Sequence, residues 1–165
     1  MIVLGIDPGE TLIGFGVIKK DGARIVLLEY GCIVIPTGTR SSAEKLHELE
    51  TKLTDVIRTH KPDIAGIENL FFFKNLKTAI KVAQARGVIL ATCQRNAVEV
   101  FEFTPLQIKQ AVTGYGKAEK RQVQKMVQII LGMAETPKQD DAADALAAAI
   151  CAHNSCALLK KLKQS

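Results

Sequence analysis

Two short apolar runs, each ending on an acidic residue, constrain the fold of this chain most strongly. Residues 2–6 (IVLGI) lead into Asp7 and a Pro-Gly turn, and residues 64–67 (IAGI) lead into Glu68. Apolar runs of about four to eight residues that end at turn signals are typical of buried strands. A carboxylate in apolar surroundings is costly unless it is paired or bound to a cation, so both acids are candidate functional residues. Taken singly, Asp7 also fits a turn former and Glu68 a solvated strand end.

Two more acids lie in an alanine-rich segment, residues 140–147 (DDAADALA). Asp141 and Asp144 are three residues apart and therefore share one face of a helix. The small side chains around them would let this helix approach a sheet closely. Carboxylates that converge on one place require cations, and oxygen atoms are the ligands that Mg²⁺ prefers. The sequence thus predicts a metal-dependent site formed by Asp7, Glu68, Asp141 and Asp144.

Asp140 is an alternative ligand from the same segment, because Asp140 and Asp144 share a helical face at a four-residue step. Aspartate is also favoured at helix N-caps, and Asp140 follows a stretch that contains Pro137. We interpret Asp140 as the N-cap of the last helix, and a role as an outer-shell ligand stays open for it.

The remaining pattern predicts an α/β fold, a five-stranded mixed sheet flanked by helices. Turn residues divide the first third of the chain into a three-stranded meander. Residues 41–44 (SSAE) resemble a capping box, and Thr104-Pro105 has the chemistry of a helix start. Alternation of strands and helices after the meander favours a sheet covered by helices. The predicted strands are 2–7, 14–19, 24–35, 63–67 and 98–103, and the predicted helices are 41–60, 76–94, 104–114, 119–131 and 140–159.

The length of 165 residues fits one domain. We expect residues 1–159 to form this domain and residues 160–165 to form a basic C-terminal tail. No apolar stretch approaches the roughly 20 residues of a membrane span, and the first residues run into a strand without the pattern of a signal peptide. We therefore expect a cytoplasmic protein that has no membrane partner.

The basic residues are grouped along the chain. The net charge of +5 and the pI of about 9.1 are weak signals alone, because many enzymes are mildly basic. Basic side chains around an acidic pocket fit an enzyme that binds a phosphate backbone and cuts it with metal ions. Solvated helix faces are the alternative, which we prefer for the last group. The groups are Lys74, Lys77, Lys81 and Arg86, then Lys109, Lys117, Lys120, Arg121 and Lys125, and finally Lys160, Lys161 and Lys163.

Five segments together carry a family resemblance. They are 4–9 (LGIDPG), 14–17 (GFGV), 67–69 (IEN), 83–87 (AQARG) and 141–147 (DAADALA). In this order they resemble the RuvC family of bacterial Holliday-junction resolvases over nearly the whole chain. The resemblance implies a ribonuclease-H-like nuclease domain and a homodimer that nicks four-way DNA junctions in pairs during recombination and repair. It also implies the branch-migration proteins RuvA and RuvB as partners.

The same resemblance implies residue roles. Asp7 would bridge two Mg²⁺ ions, with Mn²⁺ as an alternative metal, while Glu68 holds one ion and Asp141 with Asp144 complete the site. Lys109 and Lys120 match basic residues near the scissile phosphate, and Phe71 matches an aromatic wedge at the junction. The predicted DNA-binding residues are Phe71, Phe72, Phe73, Lys74, Asn75, Lys77, Arg86, Lys109, Tyr115, Lys117, Lys120 and Arg121.

Several alternatives stay open at this point. Any of Phe71, Phe72 and Phe73 could be the ring that stacks on a base, and at least one ring of the three also fits a hydrophobic plug. The same carboxylates would serve a ribonuclease-H-like nuclease that acts on another structured or RNA-containing substrate. A catalytically silent junction-binding module and an actin-like phosphotransferase are the other rivals, although the latter normally needs two such halves.

Overall fold

The computed structural model describes residues 1–22, 24–69 and 76–163, and the side chains of the same ranges except 76–78 and 157–163. Each predicted element is present, and the ends differ from the prediction by a few residues. The strands are β1 (Ile2–Asp7), β2 (Leu12–Asp21), β3 (Arg24–Val34), β4 (Ile64–Glu68) and β5 (Glu99–Phe103). The helices are α1 (Ser42–His60), α2 (Leu76–Arg95), α3 (Pro105–Thr113), α4 (Lys120–Ile130) and α5 (Asp140–Lys163). Within the described residues, no helix is long and apolar enough to cross a membrane.

The five strands form one mixed sheet in the order β3-β2-β1-β4-β5. The first three strands pair antiparallel, as the predicted meander requires, and β1 pairs parallel with β4. Parallel strands end at the same edge of a sheet. Because Ile6 pairs with Ile67, the two acids that end these strands, Asp7 and Glu68, are neighbours at the centre of that edge.

Helices cover both faces of the sheet, and strand alternation decides which face each acid takes. Leu4 and Ile6 of β1 lie in the core that α1 and α2 share, whereas Val3 lies in the core beneath α3, α4 and α5. Successive side chains of a strand point to opposite faces. Asp7 therefore projects toward the face that carries α5, and the same alternation in β4 directs Glu68 there.

Helix α5 lies directly on the sheet because both surfaces are made of small residues. Its alanine face is buried, as predicted. The sheet contributes glycines: a methyl group at Gly5 would clash with the carbonyl oxygen of Ala145, and one at Gly14 with that of Asp141. A methyl group at Gly66 would lie 2.6 Å from the carbonyl oxygen of Ala148. The close approach carries the acids of α5 to the sheet edge.

Helix α5 differs from the prediction in the role of Asp140 and in its C-terminal end. It begins at Asp140, so the prediction that Asp140 is its N-cap is wrong. The Asp140 carboxylate instead accepts a hydrogen bond from Gln124 and pairs with Lys120. The helix also continues to Lys163, about four residues beyond its predicted end at residue 159. Lysine and leucine are good helix formers, and cations are favourable near a helix C-terminus.

Candidate active site

Three separate elements bring four acids together at one sheet edge. Asp7 ends β1, Glu68 ends β4, and Asp141 with Asp144 lie in the first turns of α5. Burial, followed in decreasing order by the charges of Glu68, Asp144 and Asp141, raises the pKa of Asp7 to about 8. Such mutual effects require the four carboxylates to be close in space. The structure thus brings together the four acids that the sequence singles out.

Two of the other acids share this environment. Burial raises the pKa of Glu68, with a further contribution from Asp144, and burial also raises the pKa of Asp144. Positive charge opposes both shifts, from Lys109 and Lys120 at Glu68 and from Lys120 at Asp144. A cluster of partly buried carboxylates with raised pKa values is short of positive charge.

Lys120 supplies part of that charge. Its Nζ lies 3.1 Å from Oδ2 of Asp144 and 3.3 Å from Oδ2 of Asp140. Gln124, one helical turn further along α4, donates from Nε2 to Oδ1 of Asp140 over 2.8 Å. Burial lowers the pKa of Lys120, but the hydrogen bonds and charges of Asp144 and Asp140 outweigh burial and hold this pKa above its usual value.

The donor set fits a hard divalent cation in its chemistry, because carboxylate oxygens are the ligands that Mg²⁺ prefers. As the side chains stand, no three of the described Asp, Glu, His and Cys residues are arranged to enclose an ion. Lys120 occupies one oxygen of Asp144 in this arrangement. To hold an ion, the carboxylates must draw closer together, and an ion on Asp144 would compete with Lys120 for this carboxylate.

A cavity of about 160 Å³ opens beside the carboxylates. It brings two of the predicted DNA-binding lysines, Lys109 and Lys120, next to Glu68 and Asp144. Apolar residues complete the wall and limit the access of water, which strengthens electrostatic interactions inside. The lining residues are Glu68, Pro105, Ile108, Lys109, Lys120, Val123, Asp144 and Ala147.

A second, more open cleft lies on the adjacent face of α4. Its volume is about 460 Å³, and its lining residues are Thr113, Tyr115, Ala118, Arg121, Gln122, Lys125 and Met126. The Tyr115 ring is 59% exposed. Predicted DNA-binding residues Tyr115 and Arg121 therefore share this cleft, and Lys117 is exposed in the loop between α3 and α4.

Comparison with known proteins identifies the family. The family model described as crossover junction endodeoxyribonuclease RuvC matches residues 3–153. The chain belongs to the RuvC family. The RuvC of Caldicellulosiruptor saccharolyticus is 51% identical over 152 residues, which cover 92% of this chain and 91% of that relative. Nucleases of the family are metal-dependent.

Solved RuvC structures give the same result. Thermus thermophilus RuvC is 32% identical, with a TM-score of 0.87 and coverage of 96% of each chain. The T. thermophilus RuvC in complex with Holliday junction substrate is 30% identical, with a TM-score of 0.86 and the same coverage of 96%. The family resemblance of the five segments and the ribonuclease-H-like fold are therefore confirmed.

Arg86, another of the predicted DNA contacts, lines neither cavity. Arg86 of α2 pairs with Glu102 of β5 at 2.5 Å, and its side chain is only 20% exposed. The predictions for Phe71, Phe72, Phe73, Lys74 and Asn75 lie outside the described residues, and so does that for the side chain of Lys77. Their DNA-binding roles stay predictions.

Two features of the site are missing from the sequence prediction. The first is the pairing of Asp140 with Gln124 and Lys120, which the four-residue step between Lys120 and Gln124 could have suggested. The second is the place of Lys125 in the open cleft, one helical turn after Arg121; the sequence analysis includes Lys125 in a basic group but not among the DNA-binding residues. Both depend on which face α4 turns toward α5, and that is a matter of tertiary packing.

Proposed function

We propose that the protein is a structure-selective endonuclease that resolves Holliday junctions by paired symmetric nicks during DNA recombination and repair. The observation that carries this proposal is the cavity that joins Glu68 and Asp144 to Lys109 and Lys120 in a chain of the RuvC family. Acids that can hold cations and lysines that can neutralise phosphate are the groups that phosphodiester hydrolysis requires.

Asp7, Glu68, Asp141 and Asp144 are the proposed metal ligands and catalytic residues. When bound, two Mg²⁺ ions, or Mn²⁺ in their place, would supply the activated water and stabilise the attacking and leaving oxygens. Asp7 would be the central ligand of the site, because it ends the central strand β1 and the charges of Glu68, Asp144 and Asp141 all act on it. With its pKa at about 8, Asp7 holds a proton at neutral pH and must release it on binding a cation.

Lys109 and Lys120 are proposed to contact the phosphate at the cut. Each of them lines the cavity and reduces the upward shift in the pKa of Glu68, so each already acts on the carboxylate cluster. A lysine that lines the cavity can neutralise charge that develops on a phosphate bound there in the transition state. Pro105, Ile108 and Val123 would exclude bulk water from that phosphate.

The open cleft is the proposed path of the strand away from the cut. Arg121 and Lys125 suit phosphates, and the exposed Tyr115 ring suits stacking against a base or sugar. Lys117 in the adjoining loop is a further proposed phosphate contact. Residues 71–75, Lys77 and Arg86 are also proposed to contact DNA, with Phe71 at the junction centre.

A homodimer is proposed because a two-fold protein matches the two-fold symmetry of a four-way junction, so that each site cuts one strand. RuvA and RuvB are the proposed partners, and the cytoplasm is the proposed place of action. We also propose that the described elements form one nuclease domain, with α5 as an integral part of it.

The decisive experiment compares three substrates of matched length: a mobile four-way junction, a duplex and an RNA–DNA hybrid. Each is incubated with the protein in Mg²⁺ or in chelator. We expect cleavage of the junction in Mg²⁺ alone. Cleavage of the hybrid in preference to the junction would support the rival ribonuclease-H-like nuclease, and metal-dependent binding without any cleavage would support the silent junction-binding module.

A further inference from the structure

Lys120 stands between two carboxylates that are one helical turn apart on α5. Its Nζ is 3.1 Å from Asp144 and 3.3 Å from Asp140. The two acids differ in their surroundings, because the Asp144 side chain is 31% exposed within the carboxylate cluster and the Asp140 side chain is 64% exposed outside it. The ammonium group can therefore shift between an inner and an outer partner with little movement.

The outer partner is held in place from α4. Gln124 donates a hydrogen bond of 2.8 Å to Oδ1 of Asp140, which leaves Oδ2 to Lys120. Gln124 and Lys120 are four residues apart, so they lie on the same face of α4. The three side chains form a bracket between the first turns of α4 and α5.

A divalent cation on Asp144 would repel the Lys120 ammonium, which lies 3.1 Å from Oδ2 of the same carboxylate. This repulsion would favour movement of Lys120 toward Asp140, the other carboxylate within its reach. We propose that Asp140 is a positioning residue that retains the Lys120 ammonium beside the cut when a cation displaces it from Asp144, a role that rests on the proposed function.

Loss of Asp140 has a specific consequence. Of the two carboxylates that Lys120 contacts in the described structure, Asp144 would remain, and Lys120 would compete with the cation for it more strongly. Exposed ion pairs are weak, so Asp140→Asn should weaken cation binding by up to about five-fold. The effect acts through Lys120 and should vanish when Lys120 is replaced.

The test is Mn²⁺ binding in the absence of DNA, measured by electron paramagnetic resonance on the full chain. The control for charge is Glu135→Gln, which removes one exposed carboxylate from the loop before α5. We expect weaker Mn²⁺ binding for Asp140→Asn and an unchanged affinity for Glu135→Gln. Gln124→Ala should weaken binding in the same direction, and it keeps the role testable if Asp140→Asn folds poorly.

A double-mutant cycle separates this role from a simple charge effect. In a Lys120→Gln background, Asp140→Asn should leave Mn²⁺ affinity nearly unchanged. An equal loss of affinity with and without Lys120, or an equal loss in Glu135→Gln, would overturn the role of Asp140.

The variant Asp7→Asn shows whether only the positioning role of Asp140 is wrong or whether the proposed metal site is wrong as well. If Asp7→Asn abolishes Mn²⁺ binding while Asp140→Asn does not weaken it, the positioning role alone is wrong. If Asp7→Asn leaves Mn²⁺ binding intact, the carboxylate cluster is not the metal site, and both proposals fail.

Discussion

Replacing Asp7 with asparagine should stabilise the metal-free protein, and the gain should grow with pH. Burial, with the charges of Glu68, Asp144 and Asp141, raises the pKa of Asp7 from 3.8 to about 8. The unfolded chain therefore releases this proton at a lower pH than the folded chain does. Such an acid does not change the free energy of unfolding at a pH below its unfolded pKa. It lowers that free energy as the pH rises from the unfolded pKa toward the folded pKa.

The magnitude follows from the interval between the two pKa values. At pH 7 the folded Asp7 is still protonated. The unfolded side chain is ionised, because pH 7 lies about 3 units above its pKa of 3.8. At about 1.4 kcal/mol per pH unit, Asp7 lowers the free energy of unfolding of the metal-free protein by about 4 kcal/mol at pH 7. This is an upper limit, because Glu68 and Asp144 also have raised pKa values and share the proton uptake.

The assay is urea unfolding of the wild-type protein and of Asp7→Asn in chelator at about pH 4 and about pH 7. We expect similar stabilities at the lower pH and a more stable variant at the higher pH. Added Mg²⁺ should narrow the gap at neutral pH, because the cation stabilises the wild-type protein by binding to its folded state. A stability difference that does not depend on pH, or a variant that is less stable at pH 7, would refute the reasoning.

Other predictions concern the close packing and the DNA path. Gly14→Ala should displace α5, lower the free energy of unfolding by about 1–3 kcal/mol and abolish cleavage, as measured by urea unfolding and a nicking assay. Gly87→Ala is the control, because a methyl group there meets open space, and it should leave cleavage intact. Lys109→Glu should slow junction cleavage and reduce its dependence on salt; an unchanged rate would make Lys109 a solvated surface residue. Arg121→Glu should weaken junction binding at moderate salt in a mobility-shift titration, and equal binding would exclude the open cleft from the DNA path. Phe71→Ala should reduce cleavage more than binding, and an unchanged rate would move the wedge role to a neighbouring ring.

Local sequence patterns predict much of the sheet edge. Asp7 and Glu68 could be predicted because a short apolar run that ends on an acid determines both the strand and the end at which the acid lies. The spacing of Asp141 and Asp144 likewise places them on one helical face. These inferences need only the periods of strands and helices and the polarity of individual residues.

The remaining features depend on contacts between distant segments. The interpretation of Asp140 as an N-cap used helix-end chemistry alone, and it failed because α4 packs Gln124 and Lys120 against this carboxylate. Gly5 and Gly14 read as ordinary residues of apolar strands until the path of α5 across them is known. The open cleft forms where α3 packs against α4, and the periodicity of apolar residues in the sequence does not determine this packing.

The most direct test of the central claim is the mapping of nicks on a mobile four-way junction in Mg²⁺. The account predicts symmetric nicks in two strands of like polarity, ends that a ligase can seal, and no nicks with Asp7→Asn, which still binds the junction. Cleavage by Asp7→Asn at the wild-type rate, or wild-type nicks that persist in chelator, would contradict a metal-dependent site built on the four acids.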